Sequence, residues 1–104
     1  MPARRSIAED AQRVLAALTP AWQRADEIER VLGWPPQDTS RRVRAAVRHL
    51  TMHGWSVASS EHGYRRAAAP EDLDPTIADL DHRIGALVAR RDRLAETRRS
   101  LATA

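Results

Sequence analysis

Arg41, Arg44 and Arg48 are the residues whose types and spacing suggest chemistry most directly. Three and four apart, they fall on one side of a helix that turns by about 100° per residue, opposite Val43, Val47 and Leu50. An arginine holds guanine O6 and N7 through two parallel hydrogen bonds, and a helix fits the major groove of duplex DNA, so this row has the form of a base-reading face. Arg42 lies toward the flank, where a phosphate is the expected contact, and Ser40 at the helix start is placed to donate to another. Arg65 and Arg66 are expected to reach the flanking backbone or a minor groove. Between Asp38 and Arg66, six arginines stand against two acids, a local +4, while the rest of the chain sums to −1. Positive charge gathered in this way is the footprint of a polyanion partner, because phosphate contacts release condensed counterions.

Other chemistries find little support. All 17 basic residues are arginine, which leaves no lysine for a Schiff base or a phosphate-binding loop, and there is no cysteine for thiolate catalysis, disulfides or iron–sulfur clusters. The four glycines, Gly33, Gly54, Gly63 and Gly85, are too scattered to cradle a pyrophosphate. His49 and His53 have a chelating spacing and His62 could join them, yet the placement of His53 in a last helical turn suits the helix dipole better than a metal. The expectation is a binding protein and not an enzyme, with no cofactor and no metal. A chain of 104 residues leaves no room for a large catalytic fold. No apolar run approaches the ~20 residues of a membrane span, so no membrane association and a cytoplasmic location are expected. Trp22 and Trp55 are expected to supply core bulk, whereas Trp34, beside two prolines, reads as a surface contact.

The elements that must position these residues can be read from periodicity and caps. Ser6 with Glu9 forms a capping box, and Ile7, Ala11, Val14, Leu15 and Leu18 then share one face of a first helix. A short second helix spans 25–32, with Ile28, Val31 and Leu32 together and Gly33 at its end. Trp34-Pro35-Pro36 forms a rigid connector. Asp38, Thr39 or Ser40 caps a third helix, which buries Val43, Ala46, Val47 and Leu50 and ends at Gly54. Residues 55–59 and 64–67 are strand-compatible around a four-residue connection, a hairpin. A boundary follows at Pro70, and Pro75 opens a last helix. Three helices and a hairpin in this order match a winged helix, whose second and third helices form a helix-turn-helix.

Trp22, Ile28, Leu32, Gly33, Thr39, Val43, Val47, Leu50, Gly54, Val57 and the pair Gly63–Tyr64 together resemble the N-terminal winged-helix domain of bacterial biotin-operon repressors, over residues 7–67. The resemblance implies that the third helix is a recognition helix. The stretch Gly33–Asp38 is longer than the family's tight turn, and nothing resembles that family's ligase domain, so biotin chemistry is not implied.

In the last helix a heptad beginning at Ile77 places Ile77, Ile84, Arg91 and Arg98 at a and Leu80, Leu87, Leu94 and Leu101 at d. Such a seam favours pairing with a second copy, and charged a residues disfavour larger bundles. Parallel g-to-e pairs would be Arg83 with Val88 and Arg90 with Ala95, which leaves the orientation open. The expected fold is mainly α with a small β-hairpin wing, a winged helix-turn-helix over 6–69 followed by a coiled-coil dimerisation helix over 75–103. The expected function is that of a sequence-specific double-stranded DNA-binding protein, a small homodimeric transcriptional regulator. Two alternatives stay open: a protein-interaction module of a larger assembly, or an accessory protein of DNA packaging, recombination or replication.

Overall fold

The computed structural model describes residues 6–36 and 40–103. The chain is mainly helical: α1 (Ile7–Ala17), α2 (Ala25–Leu32), α3 (Arg41–Met52), an antiparallel hairpin of β1 (Val57–Ser60) and β2 (Gly63–Arg66), one 3₁₀ turn (Pro70–Leu73) and α4 (Asp74–Thr103). It divides into two compact units between Leu73 and Asp74.

In the N-terminal unit the helix ends follow local chemistry. Ser6 accepts a hydrogen bond from the Glu9 N–H at 3.0 Å, which satisfies one orphan donor of α1. Gly33 terminates α2 at φ +70°, a left-handed conformation that glycine adopts without a Cβ penalty. Ser40 precedes α3 at φ +48°, but its hydroxyl does not cap that helix; it donates instead to the Glu29 carboxylate of α2. The other cap candidates, Asp38 and Thr39, lie outside the described residues.

The core lies where α1 crosses α3. Ala11 and Val14 of α1, Leu18 at its C-cap, and Val43, Ala46, Val47 and Leu50 of α3 are buried, with Ile28 of α2 and Val57 of β1 closing the cluster. Full burial of an aliphatic side chain contributes about 1.5–3 kcal/mol, so Val14, Ile28 and Val43, all 0 % exposed, are central to holding α3 in place. Several expectations are corrected here. Trp34 is a core residue, 6 % exposed, because the arginines beside it fold over its ring. Trp55 is instead 53 % exposed, and Val31, at 68 %, turns away from the stripe that Ile28 and Leu32 begin.

The hairpin register runs from Val57 opposite Arg66 to Ser60 opposite Gly63, so its turn is the two residues Glu61 and His62 rather than four. Its second edge is also occupied. Gln23, in the link between α1 and α2, exchanges two backbone hydrogen bonds of 2.8 Å with Tyr64, and the Arg66 N–H donates to the Thr19 carbonyl at 2.8 Å. β2 therefore lies between β1 and a segment some forty residues earlier in the chain. Gly63 is required by this approach: at φ +111°, a Cβ there would lie 2.1 Å from the Gln23 carbonyl oxygen.

The second unit is the 30-residue helix α4. Ile77, Leu80, Ile84, Leu87, Leu94 and Leu101, the apolar seam residues, are between 46 % and 73 % exposed. No helix among the described residues is long and apolar enough to cross a membrane.

Candidate nucleic-acid interface

α3 presents two faces of opposite character because its sequence alternates arginine and aliphatic residues at helical spacing. Val43, Ala46, Val47 and Leu50 are buried, and Arg41, Arg44 and Arg48 are exposed on the other side. All three are exposed, and none takes part in an ion pair or a side-chain hydrogen bond among the described residues. A row of this kind can grip phosphates or the acceptor edges of guanine.

Beside the start of α3 lies a polar cleft of about 410 Å³, lined among others by Arg24, Ser40, Ser60 and Tyr64. Burial pushes the Tyr64 phenol above its ordinary pKa, with Arg44 pulling weakly the other way, so its hydroxyl keeps its proton across the neutral range. Asp26 and Glu61 also line the cleft, which makes its charge mixed. Arg24 was not legible as a site residue. It stands at the N-cap of α2 without a capping bond, and the bridge from Gln23 to Tyr64 sets it in one cleft with the hairpin residues Ser60 and Tyr64.

The remaining candidates are turned to other work. Arg42 corrects the expectation most clearly. Its side chain is 12 % exposed, and it forms a two-pronged ion pair with Asp10 of α1, at 2.8 and 2.9 Å, with its guanidinium carbon 3.7 Å from the Trp34 ring centroid. A phosphate contact would require dismantling this arrangement. Position 42 lies about 100° from Arg41 around the helix and faces α1, which explains why spacing alone made it look like a flank.

Arg66 reaches back to the end of α1. Its Nη2 and Nε donate to the Leu15 carbonyl at 2.8 and 3.2 Å, placing a cation at the negative end of a helix that has no basic residue in its own last turn. Arg65 lies 4.7 Å from the Trp22 ring centroid and pairs with Asp72 at 3.2 Å. Asp72 also accepts from the Ala68 and Ala69 N–H groups at 2.8 and 3.0 Å. These backbone donors, Ala68 first, hold its carboxyl below the usual carboxylate range, with Arg65 adding to the effect and partial burial opposing it. Ser40, through its bond to Glu29, positions the start of α3 instead of presenting a free hydroxyl.

His49 and His53 stack with ring centroids 4.0 Å apart, and His53 Nδ1 donates to the His49 carbonyl at 2.8 Å. That bond takes one ring nitrogen of the pair, and among the described residues no three His, Cys, Asp or Glu side chains gather around a common point. His62 lies instead at the hairpin turn, near Trp22. Arg4 and Arg5, which could form an N-terminal arm, are outside the described residues.

Compared with protein-family models, curated proteins and solved structures, the chain returns no match to any of them.

Proposed function

We propose that this chain binds double-stranded DNA in a sequence-dependent manner, its N-terminal unit working as a winged helix-turn-helix with α3 as the reading helix, and that it acts as a homodimeric transcriptional regulator paired through α4. The observation that carries this reading is the exposed row Arg41, Arg44 and Arg48 on a helix whose opposite face is buried. A helix anchored on one side and cationic on the other can enter a groove as a rigid body. The order of three helices and a hairpin supports it, as does the one-residue bridge at Gln23, which ties the hairpin to the α1–α2 link. The exposed seam of α4 supports pairing, since its six apolar residues gain by leaving water. Two reading helices on one dimer would engage two half-sites and convert modest affinity into avidity.

Selection of bound sequences from a random duplex pool, followed by titration at several salt concentrations, tests the reading. Affinity should fall steeply with salt. Arg44→Ala and Arg48→Ala should each relax preference at one base pair, at a cost of roughly 1–3 kcal/mol for a two-pronged contact. Unchanged affinity in the triple alanine variant at 41, 44 and 48 would refute the assignment and turn attention to an acidic protein partner.

A further inference from the structure

The distribution of charge along α4 bears on which way round two copies pair, and this step rests on the pairing stated above. Residues 74–88 carry Asp74, Asp79 and Asp81 against Arg83, a net −2. Residues 89–103 carry Arg90, Arg91, Arg93, Arg98 and Arg99 against Asp92 and Glu96, a net +3. The helix is thus acidic toward its N-terminal end and basic toward the other. Its seam has a second property: every a residue lies as far to one side of Ala89 as a d residue lies to the other.

We propose that α4 associates with α4 of a second copy in antiparallel orientation, centred on Ala89. The layers are then Ile77 on Leu101, Leu80 on Arg98, Ile84 on Leu94 and Leu87 on Arg91, each occurring twice. Both seam arginines face leucine. Their aliphatic stems cover apolar surface while the guanidinium groups extend to water, a placement long cationic side chains tolerate. The acidic half of each helix lies along the basic half of the other. Val88, 40 % exposed, comes beside its counterpart near the centre and widens the apolar contact.

Parallel pairing in register does the opposite. It puts Arg91 against Arg91 and Arg98 against Arg98 in the same layers and sets like-charged halves side by side, without a compensating g-to-e attraction. The antiparallel arrangement creates one like-charge contact of its own, between the two Arg90 positions flanking the centre. That contact supplies a second test.

The chain contains no cysteine, so single variants report cleanly. Ile84→Cys and Leu94→Cys proteins are oxidised in a glutathione buffer, separately and mixed, and the products identified by mass. Antiparallel pairing gives the 84–94 disulfide in the mixture and little product in either separate sample, because residue 84 of one copy then lies about 15 Å along the axis from residue 84 of the other, beyond the ~7 Å Cα limit of a disulfide. Arg90→Ala should lower the dimer Kd several-fold in sedimentation. Disulfides within each separate sample and none in the mixed pairing would overturn the orientation while leaving pairing through α4 intact. A wild-type monomer, or a wild-type dimer in which neither cysteine couples to anything, would overturn the pairing through α4 itself.

Discussion

Arg42→Ala separates a folding role from a DNA-contact role. The Arg42 and Asp10 side chains are 12 % and 11 % exposed and meet through two hydrogen bonds, and the guanidinium lies over the Trp34 ring. Removing one member of a buried ion pair costs about 3–5 kcal/mol, since the other charge stays desolvated with its main partner gone. A guanidinium over an aromatic face adds about 0.5–2 kcal/mol. The pair keeps a little contact with water, so the lower end applies, and about 3 kcal/mol is expected for Arg42→Ala. In a unit of this size that corresponds to a fall in Tm of about 12–24 °C. Tryptophan fluorescence in urea and in thermal melts reads it, Trp34 being the buried reporter. A double-mutant cycle with Asp10→Ala should return a coupling energy of about 2 kcal/mol, whereas exposed pairs return under about 1. Replacing both partners with apolar residues of similar volume, Asp10→Leu with Arg42→Met, should recover much of the loss. If Arg42→Ala melted within about 2 °C of the wild type yet weakened binding to every DNA sequence alike, Arg42 would belong to the interface and the burial argument would be wrong.

Gly63→Ala should destabilise the N-terminal unit by more than about 1 kcal/mol, because a side chain at positive φ is strained and the new Cβ meets the Gln23 carbonyl; urea titration reads the loss, and an unaltered midpoint would contradict the close approach. Asp72 links stability to pH: its folded pKa is lowered, so its contribution is present above the ordinary carboxylate pKa and disappears as pH falls through the lowered value. Asp72→Asn should flatten that acid limb, and a variant with the wild-type pH profile would remove Asp72 from the account. Leu87→Asp puts a carboxylate at a central d position and should abolish the proposed pairing through α4 in sedimentation, whereas the same substitution at His82, on the outer face of the heptad, should leave it nearly unchanged.

Much of the N-terminal unit was legible because its signals are local. The Ser6 cap, the Gly33 stop and the buried stripe of α3 each depend on residues within one or two turns, and all three stand where spacing placed them. What escaped were contacts between distant segments. Gln23 pairs as a single-residue bridge and so has no alternation to reveal it. Asp10 reads as one of the acids favourable in the first turn of α1, and only the packing of α1 on α3 shows that it serves Arg42, thirty-two residues away. The tryptophans misled for a related reason: Trp34, beside two prolines, looked like a loop residue on the surface, yet two arginines covering its ring make it part of the interior. For the candidate site, spacing identified Arg41, Arg44 and Arg48 as one face, but it gave no means of telling an arginine left exposed from one bonded within the fold, and Arg42, Arg65 and Arg66 are of the second kind.

The occupied second edge of β2 has a thermodynamic consequence. A lone two-stranded hairpin is marginal in water and would be ordered only on meeting a partner, with the large negative heat-capacity change of coupled folding and a lost conformational entropy of about 1–2 kcal/mol per residue. Here the Gln23 and Thr19 bonds, and the Arg66 guanidinium on α1, order the hairpin when the unit folds. Association through this face should therefore show a heat-capacity change no larger than its contact area requires, and amide exchange at Tyr64 and Arg66 should be as slow before binding as after it.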